Sequence, residues 1–142
     1  MKRNCINPAA LHQSKFMSRA IQLSEVGTMI YCSGMTPADQ EYRPVYIGDL
    51  KAQYNKVKAD CELVLVEAGA GWDDVVSVRT YVRDMAEFMN LFRTGEIEVP
   101  GNRTHPPCST LVEISRLSDP DFLVEMEVVA ALPIGVAEEP MA

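Results

Sequence analysis

The segment HPPCSTLVEISRL, residues 105–117, places reactive side chains directly before an alternating run that is typical of a strand. Cys108 carries a thiol that becomes a nucleophile when it is deprotonated, and Arg103 and His105 lie just before it. Three interpretations of Cys108 stay open: a packed residue at a strand start, a ligand contact, or a catalytic nucleophile. A carboxylate close to the thiol would raise its pKa and work against the third.

The other cysteines do not form a metal motif. The sequence has four cysteines but no Cys-x-x-Cys pair, and its histidines have no metal-binding spacing. Cys61 lies on the apolar stripe of a predicted helix and Cys32 within an apolar strand, so we predict that both are core residues. No metal site is predicted.

The composition is typical of one globular domain over residues 1–142, and 47% hydrophobic residues suffice for a core. We expect the segments 1–15 and 133–142 to be less ordered. The net charge of -7 disfavours nucleic acid and anionic membrane surfaces as partners. A small anion held by one arginine remains compatible with this charge.

The cysteines and the N-terminus together suggest a compartment. No apolar stretch follows Lys2 and Arg3 as in a signal peptide, and no segment reaches the roughly 18 apolar residues of a membrane span. Unpaired cysteines persist in reducing surroundings. We therefore expect a cytoplasmic protein with no membrane partner.

Strands and helices alternate along the chain. Two strands are predicted within 18–34, a helix after Asp49 ending near Gly69, and a strand at 76–83. Asp84 is predicted to cap a second helix. Two strands, predicted to be neighbours and to carry Cys108 and Glu125, close the chain. One face of the resulting sheet is apolar and can pack against both helices. The other face mixes aliphatic and charged residues, and is either solvated or a subunit interface.

The order β-β-β-α-β-α-β-β and several motifs resemble the YjgF/RidA family. The matching segments are IYCSG at 30–34, LVEAGAGWDDVVSVRTYVRDMAEF at 65–88, VEISRL at 112–117 and LVEMEVVA at 123–130. The resemblance implies an α+β, chorismate-mutase-like fold, in which two helices cover one face of a mixed sheet. It also implies a homotrimer with a small-molecule cleft between each pair of subunits.

The resemblance further implies an activity. Members of this family hydrolyse reactive enamines and imines to keto acids and ammonia without a metal or organic cofactor. Glu125 matches the family's glutamate that positions water or a proton, and Ser33 and Gly34 match its Ser-Gly pair. Its substrate-binding arginine is absent: alignment places Ser109 there, and a shift of one residue places Cys108 there.

A second family residue is also replaced, because Met17 stands where an N-terminal tyrosine is expected. Arg103 is the nearest cation upstream of the lost arginine and is a candidate substitute. Neither serine nor cysteine reproduces the planar, bidentate grip of arginine on a carboxylate. The resemblance therefore predicts a cleft of the family's shape with altered recognition of its substrate.

Two hypotheses of different classes follow. The first is a Rid-type hydrolase acting on a small enamine, imine or related C=N metabolite, with Glu125 as the acid or base. Its site residues are Glu125, Cys108, Ser33, Gly34, Ser109, Met17 and Arg103. The second is a non-enzymatic trimer that binds or senses a small metabolite in the same clefts. Glu125 then forms an interface salt bridge with Arg79 or Arg83.

Overall fold

The computed structural model describes residues 1–135, and in this range the strands and helices follow the predicted order. Strands are β1 Lys2–Ile6, β2 Ala20–Ser24, β3 Val26–Tyr31, β4 Val75–Val82, β5 Cys108–Glu113 and β6 Val124–Pro133. The helices are α1 Leu50–Glu67 and α2 Met85–Arg93. No helix among these residues has the length and apolar character needed to cross a membrane.

A four-stranded mixed sheet carries both helices on one face. Its strand order is β3-β6-β4-β5, with β4 and β5 parallel and the other neighbours antiparallel. Strands β1 and β2 form a separate antiparallel pair, so β2 and β3 belong to different sheets although they are adjacent in sequence. The predicted α+β class, with two helices on one face of a mixed sheet, is confirmed.

Aspartates begin both helices. Asp49 accepts a hydrogen bond from the backbone N–H of Ala52 at 3.0 Å, and Asp84 accepts one from that of Glu87 at 2.9 Å. Each bond satisfies a donor that the first helical turn leaves free. Gly69 follows α1 with φ of +79°, a conformation that glycine adopts without strain. The predicted caps and the predicted end of α1 are therefore confirmed.

The core lies between α1 and the apolar sheet face. Val57, Cys61 and Leu65 of α1 are fully buried, and they pack with Met126 and Val128 of β6 in one cluster. Burial raises the pKa of the Cys61 thiol to about 12, so it stays protonated and inert. Cys61 and Cys32 are both core residues, as the pattern predicted.

One buried amide ties the helix to the start of β6. Gln53 is completely buried in α1, and its Nε2 donates to the carbonyl oxygens of Val45 at 3.1 Å and Asp121 at 2.9 Å. Its Oε1 accepts from the N–H of Leu123 at 2.8 Å. These bonds compensate the removal of a polar group from water and hold the entry to the strand that carries Glu125.

Two features differ from the sequence-based expectations. Residues Lys2–Ile6, within the segment expected to be less ordered, form β1, because their backbone groups pair with β2. The final two strands are not neighbours, because β4 lies between β5 and β6. The expectation for 133–142 falls mostly on residues 136–142, outside the described residues.

Candidate active site

Glu125 lies on the open face of the sheet, the face that carries no helix. It pairs with Tyr81 of β4, so the two side chains point to the same side. Beside it, Met35 forms a bridge with Met126 through two backbone hydrogen bonds of 2.7 and 3.1 Å. This bridge presses Gly34 against Glu125, and a Cβ on Gly34 would lie 2.7 Å from the carboxyl carbon. Glycine is the residue that leaves room for this carboxylate.

The surroundings of Glu125 favour its protonated form more than water does. Burial raises the pKa of this carboxyl group, and the neighbouring charge of Glu127 raises it further. Glu127 itself accepts a 2.6 Å hydrogen bond from the Tyr81 hydroxyl and lies 3.7 Å from the Arg79 guanidinium. A carboxylate with a raised pKa is a stronger base than an ordinary glutamate, which favours a role in proton transfer.

The two arginines proposed as partners of Glu125 are engaged elsewhere within the chain. Arg79 pairs with Glu127, and Arg83 donates to the carbonyl oxygen of Pro120 at 2.7 Å. Within the described residues, Glu125 therefore has no ion pair. Its alternative interpretation, a salt bridge between subunits, stays a prediction.

A pocket of about 530 Å³ lies on the opposite, helical face of the sheet. Its walls come from α1, α2, β4, β5, the 12–17 segment and the loop before β5. The lining residues are His12, Gln13, Ser14, Lys15, Phe16, Met17, Tyr54, Val78, Thr80, Phe88, Met89, Phe92, Val99, Pro100, Pro107, Ser109 and Leu111. The volume is in the usual range for small-molecule sites.

Three comparisons with known proteins agree with this fold. The sequence matches the family model described as Endoribonuclease L-PSP over residues 8–132. The chain belongs to this family, the YjgF/RidA family. A RutC family protein of Pyrococcus abyssi is 35% identical over 109 residues, which is 77% of this chain and 83% of that protein.

Two further matches are to an enzyme and to a solved structure. The 3-aminoacrylate deaminase RutC of Acinetobacter baylyi is 27% identical over 110 residues, 78% of this chain and 84% of that enzyme. A solved Rid family structure, YyfB of Yersinia pestis, superposes with a TM-score of 0.72 at 28% identity. That match covers 93% of this chain and all of the other.

The candidate residues of this YjgF/RidA member fall into two groups on opposite faces of the sheet. Glu125 and Gly34 meet on the open face, with the exposed Ser33 next to Gly34. Met17 and Ser109 line the pocket on the helical face. The sheet separates the two groups, so a single chain does not bring them together.

Arg103 lies next to the pocket without lining it. Its guanidinium donates to the carbonyl oxygens of Val99 at 2.5 Å and Gly101 at 3.4 Å, and its Cζ is 5.0 Å from the ring centre of Phe16. These contacts fix the loop against the wall of the pocket. Two nitrogens of the guanidinium are therefore used by its own loop, which reduces its capacity to hold the carboxylate of a ligand.

Cys108 belongs to neither group. It begins β5 opposite Ser77, on the open face, and burial raises the pKa of its thiol while an N–H of Ile21 donates to the sulfur and lowers it less. Two strand spacings and four residues along β5 separate it from the row of Glu125, on the order of 15 Å. The sequence-based idea that the two residues lie on neighbouring strands was wrong, because β4 intervenes.

Sequence reasoning missed the residues that shape the pocket. Tyr54 lies seven residues before Cys61 on the apolar stripe of α1, and Phe88, Met89 and Phe92 recur at three and four residues along α2. This spacing indicates packing against a sheet and gives no sign that all four residues line a pocket. Thr80 offered a signal, because it is the polar member of the apolar series Val76, Val78, Thr80 and Val82. A hydroxyl in that series marks the place where the core opens into the pocket.

Arg3 was also missed as a structural residue. From β1 it donates to the carbonyl oxygens of Asp73 at 3.0 Å, Val75 at 3.1 Å and His105 at 2.6 Å. It thereby joins the start of β4 to the loop that leads into β5. Within the described residues, no group of three or more His, Cys, Asp or Glu side chains forms a metal site.

Proposed function

We propose that this protein is a Rid-type hydrolase that deaminates a small enamine, imine or related C=N metabolite, with Glu125 as the proton-transferring group. The observation that carries the proposal is the Glu125 carboxyl group, which has a raised pKa and packs on Gly34 at the matching family position. Membership of the family supports it, as does the similarity to a 3-aminoacrylate deaminase.

The reaction requires only water and proton transfers. An enamine first takes a proton on carbon to become an iminium ion, which loses its N–H proton to give the imine, and water then adds to the C=N carbon. The resulting carbinolamine loses ammonia and leaves a carbonyl group. Glu125 would take a proton from the attacking water and return one to the departing nitrogen, and such a group contributes typically 10²–10⁴-fold. The exposed backbone at Ser33 and Gly34 borders the same carboxylate.

A homotrimer would unite the two groups of candidate residues. Within one chain Glu125 and the pocket residues Met17 and Ser109 lie on opposite faces of the sheet, so an active site that uses both must include two subunits. The open face also exposes apolar side chains: Tyr31 is 76% exposed, and Met29 and Val112 are each 38% exposed. Exposed aromatic and aliphatic residues among charges are typical of an interface.

The lost arginine limits the substrate. Ser109 occupies its position and lines the pocket, and Arg103 is engaged by carbonyl oxygens of its own loop. Moving a carboxylate from water into a site that has no cation costs free energy, and a serine hydroxyl does not compensate this cost. Small 2-imino acids such as 2-iminopropionate are therefore expected to be poor substrates.

The alternative is a trimer that binds or senses a metabolite without turning it over. The specific observation in its favour is again Ser109, since a site without the family's arginine has lost the grip that holds a typical substrate for hydrolysis. Cys108 would then serve at most as a packed or redox-sensitive thiol, because burial keeps it protonated.

The location proposed for either function is the cytoplasm. All four cysteines are free thiols in the structure, and two of them are buried. Free thiols persist where the surroundings are reducing.

A substrate panel tests the proposal directly. Enamines and imines with and without a carboxylate are generated in situ by an amino acid oxidase, an amine oxidase or a dehydratase, and the release of ammonia is followed with and without this protein. We expect acceleration for at least one carboxylate-free substrate and little for 2-iminopropionate. No acceleration across the panel, with saturable binding of the same compounds, would establish the binding-protein alternative.

A further inference from the structure

The pocket on the helical face is built mainly of apolar and aromatic groups. Phe88 and Phe92 of α2, Leu111 of β5 and Phe16 of the 12–17 segment line it, and Phe16 packs edge-on against Phe92 with ring centres 5.2 Å apart. Such walls gain free energy by removing a flat or bulky apolar body from water. They offer no hydrogen bonds of their own, so orientation must come from other residues.

Two buried hydroxyl groups supply that orientation. Thr80 is 6% exposed and Tyr54 is 1% exposed, and both line the pocket. Within residues 1–135, neither of these hydroxyls is both cut off from solvent and without a hydrogen-bond partner. A hydroxyl that lacks a protein partner is therefore accessible to solvent, and it can be reached through the pocket that its residue lines. Burial raises the pKa of Tyr54 far above its ordinary value, so its hydroxyl stays protonated and able to donate.

The register of the sheet adds a third hydroxyl. Val78 pairs with Ser109 and Thr80 pairs with Leu111, so the Ser109 and Thr80 side chains are diagonal neighbours on the same face. Ser109 is exposed and Thr80 is buried, so the hydroxyl groups run from the mouth of the pocket inward. A ligand group that pairs with these hydroxyls takes the place of the water that reaches them, and the hydrogen bonds fix the orientation of the ligand.

Charged groups are confined to the rim. The lining residues that can carry a charge are His12 and Lys15, and both are exposed to water, which screens them. Two further cations lie behind the aromatic walls: the Lys58 ammonium is 5.3 Å from the ring centre of Tyr54, and the Arg103 guanidinium carbon is 5.0 Å from that of Phe16. Neither cation lines the pocket, and both donate to carbonyl oxygens, at Glu98, Val99 and Gly101. The inner lining therefore offers hydroxyl groups and no cation of its own to a bound molecule.

We propose that this pocket binds an uncharged, ring-containing small molecule whose carbonyl or amide group is oriented by Thr80 and Tyr54. The inference deepens the proposed function, since it names the substrate class of the same cleft, but the binding itself does not depend on turnover. A carboxylate at the inner end is disfavoured because no lining residue there is a cation that could pair with it directly. The neutral group instead pairs with the hydroxyls that line the pocket.

Benzamide and benzoate are suitable probes, because they share a shape and differ in charge. Binding is followed through the methyl resonances of isotope-labelled methionine. Met17 and Met89 line the pocket, whereas Met29 lies on the open face of the sheet and serves as the reference. We expect benzamide to shift Met17 and Met89 saturably and benzoate to bind at least tenfold more weakly. Equal or tighter binding of benzoate would overturn the proposal, as would the absence of saturable shifts with benzamide.

Matched variants test the hydroxyl groups. Thr80→Val and Tyr54→Phe remove one hydroxyl each with little change of shape, and each should weaken benzamide binding about threefold to tenfold. Thr28→Val is the control, because Thr28 is a half-buried threonine of β3 that does not line the pocket. Unchanged affinity in Thr80→Val, with an intact fold, contradicts the assignment.

The outcome separates this inference from the proposed function. Benzamide binding without turnover of any panel substrate would support the proposed ligand class of the pocket and contradict the proposed hydrolase activity. Turnover of small charged imines that Thr80→Val leaves unchanged would support the hydrolase activity and contradict the uncharged, ring-containing substrate class.

Discussion

The space around Glu125 and the pKa of its carboxyl group are set by residues that neighbour it in the folded chain. Gly34 leaves it space, Glu127 repels its charge, and Tyr81 and Arg79 are engaged by Glu127. The motif at 123–130 was enough to single out this glutamate. The raised pKa was beyond sequence reasoning, because it depends on burial and on which carboxylate the arginine pairs with.

The raised pKa of Glu125 has a consequence for stability that depends on pH. A carboxyl group whose pKa is higher in the folded protein favours folding fully at pH below its unfolded value, and this contribution is lost as pH rises through the folded value. Glu125→Gln removes the titration. The variant should therefore be more stable than the wild type at neutral pH, and the difference should disappear at pH values where the wild-type group is protonated.

Urea unfolding at several pH values, at one fixed protein concentration, measures this difference. Glu62→Gln, an exposed position on α1, is the control and should show little pH-dependent change. A variant less stable than the wild type at neutral pH would mean that Glu125 is held by a favourable charge, as in the alternative salt bridge.

At the scale of elements, periodicity and caps predicted the two helices and β4 to β6 well. Asp49, Asp84 and Gly69 carry local signals that survive tertiary packing. Strand neighbours were not predictable in the same way: β5 and β6 are consecutive, yet β4 pairs with both. The residue types of β5 and β6 do not show that β4 lies between these two strands. For this reason the sequence-based prediction placed Cys108 too near Glu125.

Gln53 gives a direct test of how α1 holds β6. Gln53→Leu keeps a similar volume and removes the bonds to Val45, Asp121 and Leu123, which leaves buried backbone groups unpaired. The free energy of unfolding should fall by about 3 kcal/mol, since each buried unpaired group costs roughly 1–3 kcal/mol. Chemical denaturation measures this loss.

Gln40→Leu is the matched control for Gln53, because Gln40 is an exposed residue in the loop before α1. It should change stability by less than about 0.5 kcal/mol. If Gln53→Leu lowers the free energy of unfolding no more than the control does, the hydrogen bonds of the Gln53 amide can be replaced by hydrogen bonds to water without loss of stability.

At the scale of the whole molecule, the two faces of the sheet have different tasks. The helical face holds the core and the pocket, and the open face holds Glu125 among exposed apolar side chains such as Tyr31. The alternating pattern predicted this division. It did not predict the pocket, because an apolar stripe looks the same whether it fills a core or lines a cavity.

Assembly is tested by a substitution on the open face. We expect light scattering to give about three times the 15.8 kDa chain mass, and Tyr31→Arg to lower it, because the side chain is exposed in the single chain and would be buried between subunits. Leu63→Arg is the control, since Leu63 is 70% exposed on α1. A wild-type monomer at micromolar concentration, or an unchanged trimer in Tyr31→Arg, contradicts the proposed interface.

The effect of Glu125→Gln on kcat tests the central claim most directly. With the best substrate of the panel, and in a variant whose mass and fold match the wild type, kcat should fall by about two orders of magnitude or more, because a general acid or base is lost. Glu127→Gln and Cys108→Ser should each keep kcat within roughly tenfold. Activity retained in Glu125→Gln, or abolished in an intact Cys108→Ser trimer, would contradict the account and assign the chemistry to another group.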